Sequence, residues 1–285
     1  MIYPNDFIDK IICGESSCVM KDIPDAVIDL TVTSPPYGNL RDYKSYTFNF
    51  KDIANELYRI TKPGGVIVWV VGDQVIDGSE SGESFKQALY FKDIGFNLYD
   101  TMIYEKDGTR FPGETRYSQI FEYMFVLSKG KPKTVNLIKD HKNKYCTGRM
   151  KKHTTRQKDG SLVRDDFIND NEYSVRSNIW RISCGYQKTT HDTYAYEHPA
   201  MFPEKLVEDH VYSWSNINDL VLDCFVGSGT VAKVSKEMNR HFIGIDISEE
   251  YCRIANKRIS IIQQDLFYHN DNASNGMGAT GSTGH

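Results

Sequence analysis

LVLDCFVGSGTVAKVSKEMNRHFIGIDI, residues 220–247, decides the fold. Its first residues are apolar and β-branched and read as a buried strand. DCFVGSGT is a glycine-rich loop, VAKVSKEMN (231–239) a helix, and RHFIGIDI (240–247) a second strand. Strand, tight loop, helix, strand is one βαβ unit, and such a unit requires a parallel sheet. Gly227 and Gly229 let the backbone turn sharply and approach a ligand. The helix that follows turns its N–H groups and positive dipole end toward that loop. Asp246 ends the second strand, where a carboxylate can accept both hydroxyls of a ribose. A tight turn without a ligand explains the glycines alone; glycines and acid together favour a nucleoside site. No Gly-Lys-Ser/Thr follows, so this is not a phosphate loop of the Walker kind. Ser228 and Thr230 offer hydroxyls to a carboxylate or phosphate. Phe225 is suited either to an adenine face or to the core.

The same alternation runs through the rest of the chain. AVIDLTVT (26–33) reads as a buried strand, and FKDIANELYRI (50–60) as a helix with Phe50, Ile53, Leu57 and Ile60 on one stripe. KPGG (62–65) stops that helix. VIVWVVGD (66–73) is a strand buried on both faces, SFKQALYFKDIGF (84–96) a helix, and 98–106 and 121–129 are two further strands. Ser248 caps a helix over 248–262. The end of the chain, DNASNGMGATGSTGH (271–285), is small and polar, and a tail from 265 onward reads as disordered.

TVTSPPYGNL (31–40) breaks the pattern directly after a strand. Ser34 is pushed to extended geometry by Pro35, and Pro35 and Pro36 fix φ and donate nothing. Tyr37 closes this stiff loop. The segment is either a strand terminator or a clamp for a planar group bearing N–H donors.

Charge is distributed unevenly. The whole chain carries −4, yet residues 129–188 hold fifteen Lys and Arg against six Asp and Glu, which makes that segment +9 and the remainder −13. A basic segment on an acidic body is the footprint of a polyanion binder, although a long charge run is also what a solvated loop shows. Tyr145, Phe167, Tyr173, Trp180 and Tyr186 lie within it and favour binding. Its candidates for contact with a polyanion are Lys142, Lys144, Arg149, Lys151, Lys152, Arg156 and Lys158. The six cysteines form no CxxC pair, which disfavours a metal cluster and gives no metal ligands. No apolar run is long enough to span a bilayer, and MIYPNDFIDK lacks a signal-peptide pattern.

Taken together, TSPPY and DCFVGSGT resemble the two signature motifs of the S-adenosylmethionine-dependent amino-DNA methyltransferases. HPAMFPEKL (198–206) resembles the segment that precedes the cofactor loop in the β-ordered class, where the catalytic motif comes first, target recognition second and the cofactor loop last. CGESSCVMKDIPDAVIDLTVTSPPY, GGVIVWVVGD and FEYMFVLSKGKP also resemble that family's scaffold, so the likeness covers most of 10–262. It departs at Cys224, where relatives carry proline, and at Glu15, where many carry aspartate.

The resemblance implies an α/β Rossmann-like fold: a mostly parallel sheet with circularly permuted motif order and an inserted target-recognition lobe. The expected division is a catalytic half at 1–129, a basic lobe at 130–195, a cofactor half at 196–264 and a tail at 265–285. It implies S-adenosylmethionine as cofactor, bound by Glu15, Phe202, Pro203, Asp223, Phe225, Gly227, Ser228, Gly229, Thr230, Asp246 and Ile247. It implies catalysis by Ser34, Pro35, Pro36 and Tyr37 on the exocyclic amine of a base flipped from double-stranded DNA. Serine before Pro-Pro is associated in the family with cytosine N4 and aspartate with adenine N6, so cytosine N4 is expected and adenine N6 is the runner-up. The resemblance also admits a cognate restriction endonuclease as functional partner, a homodimer, and a cytoplasmic location in a prokaryotic cell or on a phage genome. Two other readings stand further off. Protein-glutamine methyltransferases carry Asn at the position of Ser34 and would not need the basic segment. An inert DNA-binding protein would not need both motifs intact.

Overall fold

The computed structural model describes residues 1–36, 49–107, 115–144, 150–168, 171–190, 192–197 and 201–275. They form two compact units, Met1–Asn136 with Asn178–His285, and Leu137–Ser177.

In chain order the elements are β1 (Lys10–Cys13), α1 (Ser16–Met20), β2 (Ile28–Thr33), α2 (Phe50–Ile60), β3 (Thr61–Val71), the short pair β4 (Val75–Ile76) and β5 (Ser79–Glu80), α3 (Glu83–Asp93), β6 (Asn97–Asp107) and β7 (Phe121–Ser128). The second unit holds β8 (His141–Lys142), β9 (Met150–Arg156), β10 (Leu162–Ile168) and β11 (Tyr173–Ser174). The first unit resumes with β12 (Ile179–Ser183), a 3₁₀ turn at Thr193–Glu197, α4 (Glu204–Trp214), β13 (Leu220–Asp223), α5 (Thr230–Glu237), β14 (His241–Asp246) and α6 (Glu249–Asn275).

Eight strands of the first unit make one sheet in the order β1-β14-β13-β2-β3-β7-β6-β12. Every neighbouring pair is parallel except those of β7, which runs against both β3 and β6. From β2 the chain proceeds to β3 on one side, and β13 returns to lie on the other. Strand order therefore reverses between β2 and β13, which is where open α/β sheets bind ligands. The central strands are apolar on both faces because helices cover both: Val66 through Val71 of β3 are all buried. Ile53, Leu57 and Ile60 on α2 are fully buried, and Phe50 meets Phe91 edge-on at 5.3 Å and Trp69 at 5.9 Å. Trp69 is buried without cost to its indole, whose Nε1 donates to Gln87 Oε1 at 2.8 Å.

Three expectations are corrected. KPGG ends α2 but also opens β3, and the β2–β3 register shifts between Ile28 and Leu30 to absorb it. The inserted unit is narrower than 130–195. Residues 179–183 pair in parallel with β6, because the alternation in IWRIS buries Trp180 and Ile182 on the main sheet. Finally, α6 continues to Asn275, past the expected start of disorder at 265. No Gly or Pro interrupts 249–275, so nothing in the backbone chemistry stops the helix there.

Within the second unit, β9 and β10 form an antiparallel hairpin that places Lys152 opposite Asp166 and Arg156 opposite Leu162. Its turn is closed by Asp159, whose Oδ1 accepts from Ser161 N at 2.9 Å and Ser161 Oγ at 2.7 Å. β8 pairs with β11, and Arg176 is ion-paired with Asp140. Residues 137–177 hold ten Lys and Arg against six Asp and Glu, so the compact unit is +4, less basic than the longer segment.

Candidate active site

The carboxyl ends of β1, β14, β13, β2 and β3 all open on one edge of the sheet, because these five strands are mutually parallel. Four of the stretches read from the sequence exit there. Glu15 follows β1, Ile247 follows β14, the glycine-rich loop follows β13 and Ser34–Pro36 follow β2.

The loop after β13 is shaped by two left-handed glycines, Gly227 at φ +48° and Gly229 at φ +84°. A side chain at 229 would strain the backbone and would also meet Ala255 Cβ at 2.8 Å, so α6 can pack this closely only on a glycine. Gly229 is the N-cap of α5 and provides no capping side chain, so the helix's positive end carries no side-chain cap. Asp246 sits across from it. Its Oδ2 accepts from Gly227 N at 2.9 Å and its Oδ1 from Ser248 N at 2.9 Å. Burial raises this carboxyl above its ordinary pKa, and the backbone donors oppose the rise. Each oxygen keeps a second lone pair for a hydroxyl donor. Gly14 N donates to the Asp246 carbonyl, which brings Glu15 alongside. The Glu15 carboxylate is engaged locally as the N-cap of α1, accepting from Ser17 N, Ser17 Oγ and Cys18 N. Phe225 is half-buried, edge-on to Trp69 at 6.2 Å, and Ile247 is exposed.

A second set of contacts joins this loop to the Pro-Pro loop. Thr33 Oγ1 donates to Asp223 Oδ1 at 2.7 Å, and Phe225 N donates to the same oxygen at 3.1 Å. Asp223 is 3% exposed and its side chain is directed at the strand that carries Ser34. Ser34 and Pro36 are half-buried and Pro35 is buried. Cys224 lies in the core with its carbonyl accepting from Ser16 Oγ at 2.5 Å. Burial pushes the Asp223 carboxyl up to about 7, against the lowering pull of its Thr33 and Phe225 donors. A raised carboxyl contributes stability in acid that is lost as pH rises through the folded pKa. Asp223→Asn retains an acceptor for Thr33 and carries no charge, so its melting temperature relative to wild type is expected to climb between pH 5 and pH 8, by the equivalent of a few kcal/mol. A difference that stayed flat in scanning calorimetry across that range would show that the native carboxyl is not raised.

Sequence reading missed the residues behind the loop. Arg258 of α6 is 1% exposed and donates to Ser228 O and Oγ, both at 3.3 Å, and to Thr230 Oγ1 at 2.9 Å. The hydroxyl oxygens of Ser228 and Thr230 accept from Arg258 inside the protein, and each hydroxyl keeps its own O–H to donate. The signal was present: Arg258 shares a helical stripe with the buried Ile254, Ala255 and Ile259. Asp73, just after β3, is also buried and accepts from Ser81 Oγ at 2.8 Å, Ser84 N at 3.1 Å and Ser84 Oγ. Burial would raise its carboxyl, but these donors outweigh that and hold it below its ordinary value.

The remaining expected residues fall into three groups. Phe202 is half-buried and Pro203, the N-cap of α4, is buried. Tyr37 and Arg149 lie outside the described residues. Lys151 and Lys152 are on β9, and Lys142, Lys144, Arg156 and Lys158 are exposed on the second unit.

A protein-family model described as DNA methylase matches residues 28–257. Orphan methyltransferase M.BamHII of Bacillus amyloliquefaciens is 60% identical over 243 residues, covering 84% of this chain and 91% of the relative. The structure titled PvuII DNA methyltransferase (cytosine-N4-specific) superposes with a TM-score of 0.63 at 21% identity, covering 87% of this chain and 85% of that one. A complex of M1.HpyAVI with S-adenosylmethionine superposes at 0.57 and 22% identity, covering 88% and 98%. That cofactor presents a ribose diol, an adenine and an amino-acid carboxylate. The crevice offers a carboxylate for a diol, aromatic and apolar side chains for a ring, and an uncapped helix end for an anion, so the donor set fits. Among the described residues, no helix is long and apolar enough to cross a membrane. Fold, motif order, matched family and donor set agree: the chain belongs to the DNA methylase family, as a β-ordered S-adenosylmethionine-dependent amino-DNA methyltransferase.

Proposed function

We propose that this methyltransferase modifies N4 of a cytosine flipped out of duplex DNA. The observation that carries the reading is the placement of Ser34 at the end of β2, one strand from the glycine-rich loop of β13, with Thr33 and Asp223 bonded between them at 2.7 Å. An exocyclic amine is a poor nucleophile because its lone pair is delocalised into the ring. Ser34 Oγ and the Pro35 carbonyl accept its two N–H hydrogens, which draws the nitrogen toward tetrahedral geometry and aims its lone pair. Bound S-adenosylmethionine would supply an activated methyl group, whose carbon would leave the sulfonium sulfur, with S-adenosylhomocysteine as leaving group, as it bonds to the amine nitrogen. That nitrogen would then lose one N–H proton to solvent, so the protein's own task is orientation and electrostatics. Pro35 and Pro36 keep the acceptors fixed before the base arrives. Tyr37 stacks on the extruded ring, offsetting ~1–3 kcal/mol of the few that flipping costs. Asp246 holds the ribose of the cofactor, and Phe225, Phe202, Pro203 and Ile247 enclose its adenine, with Glu15 at the ring's edge. The second unit meets the phosphates through Lys142, Lys144, Arg149, Lys151, Lys152, Arg156 and Lys158, and reads base edges.

The choice of cytosine rests on Ser34, the residue type associated with that base in the resemblance drawn above. Duplex oligonucleotides incubated with enzyme and S-adenosylmethionine, digested to nucleosides and resolved by mass spectrometry, are expected to contain N4-methyldeoxycytidine. N6-methyldeoxyadenosine in its place would overturn the base assignment while leaving the chemistry intact. Absence of any methylated nucleoside, across oligonucleotides that sample all short sites, would overturn both.

A further inference from the structure

We propose that Arg258 is a positioning residue for the cofactor, a buried bolt that sets the backbone of the glycine-rich loop and ties it to the segment before α4. The inference rests on the reading of 227–230 as the cofactor loop. All five N–H hydrogens of the guanidinium find acceptors among three separate segments. Nε donates to Asp192 Oδ2 at 2.7 Å. One terminal nitrogen serves Ser228 O, Ser228 Oγ and Thr230 Oγ1 on the loop. The other serves Thr190 Oγ1 at 3.0 Å and Glu204 Oε1. Glu204 directly follows Phe202 and Pro203, so one side chain fixes both walls proposed to enclose the cofactor.

The charges around it are arranged to permit this burial. Lys233 of α5 joins the same two carboxylates, reaching Asp192 Oδ2 at 2.9 Å and Glu204 Oε1 at 2.8 Å. Thr190 Oγ1 donates to Glu204 Oε1 at 2.6 Å. Two cations therefore face two anions at close range, with a third carboxylate, Glu237, farther off at 3.9 Å from Lys233. Burial alone would raise both carboxyls, but the donors from Arg258, Lys233 and Thr190 hold Asp192 and Glu204 below their ordinary values, so these two carboxylates are ionised at neutral pH. Sequestered ion pairs of this kind are poor sources of stability relative to apolar packing. Their usefulness is geometric: a planar fork with fixed donor directions dictates where each acceptor sits. The carbonyl and hydroxyls it dictates here belong to the turn from which α5 starts, the turn whose N–H groups face the cofactor crevice.

Lysine retains the charge but cannot span three segments, so Arg258→Lys is the discriminating variant. Calorimetric titration is expected to show S-adenosylmethionine Kd raised about tenfold or more, with duplex DNA Kd and kcat at saturating cofactor each within about threefold of wild type. Thr230→Val removes one of the bolt's acceptors, and combining it with Arg258→Lys is expected to raise the cofactor Kd no further than Arg258→Lys alone. A folded Arg258→Lys protein with cofactor Kd within about twofold of wild type would overturn the proposal, as would equal losses of cofactor and DNA affinity. If Arg258→Lys does not fold, Glu204→Gln decides, since it keeps volume and one acceptor: an unchanged cofactor Kd there rejects the bolt, and a raised one supports it. Asp246→Ala separates the two levels of the argument. If it leaves cofactor binding intact, the loop reading fails and the bolt with it; if it weakens cofactor while Arg258→Lys does not, the bolt alone fails.

Discussion

Methyl transfer by the Ser34→Ala enzyme is expected to be at least about a hundredfold slower than wild type, a loss of roughly 2.7 kcal/mol of transition-state stabilisation. The magnitude follows from the nature of the contact. A fixed acceptor aimed at an amine that gains positive charge in the transition state is the mirror image of an oxyanion-hole donor, and removal of one such donor costs about 10²–10³ in rate. The substitution should act on chemistry and not on loop shape. Thr33 stays anchored to Asp223, Pro35 stays buried, and two prolines still fix φ. Cofactor and DNA affinities are therefore expected to hold within a few fold. Single-turnover transfer of a labelled methyl group measures the chemical step directly. A rate within about threefold of wild type would remove Ser34 from the mechanism.

Asp246→Ala is expected to show the opposite pattern, with cofactor Kd raised about ten- to a hundredfold and DNA affinity unchanged. Two losses add in that variant. The ribose loses its acceptor, and Gly227 N and Ser248 N lose the oxygens that hold them at 2.9 Å. Asp246→Asn divides these, because an amide oxygen can still accept from one backbone donor while its NH₂ group repels the other. Its defect should fall between those of alanine and wild type. Parallel loss of DNA affinity in either variant would place Asp246 outside a dedicated cofactor site.

The parts of this architecture that were legible in the sequence are those where one physical rule acts alone. Strands β2, β3, β13 and β14 sit in a parallel sheet covered on both faces, so they appear as unbroken apolar runs. The stripe of Ile53, Leu57 and Ile60 gave α2 in the same way. β12 was hidden because IWRIS is five residues at a sheet edge inside a charged stretch, where charge count and periodicity point in different directions. α1 was hidden because its five residues are too few for a helical period, and its start depends on Glu15 acting as a cap. For the candidate site, the turn at Gly227 and Gly229 and the place of Asp246 at the end of β14 were readable since both are local to one βαβ unit. The Thr33–Asp223 bond spans 190 positions in sequence and the Arg258–Thr190 bond spans 68, and no local pattern encodes such pairs. An arginine in a helix ordinarily snorkels to water, and only its place on the apolar stripe hinted otherwise.

The unit at 137–177 is one uninterrupted run between two strands of the same sheet. On the proposed reading, that run carries the address and the sheet edge carries the reagent. A cassette delimited by only two peptide joints can be traded between cousins as a single piece of gene. New target words would then arise by recombination, in one event, without the machinery of transfer having to be invented again.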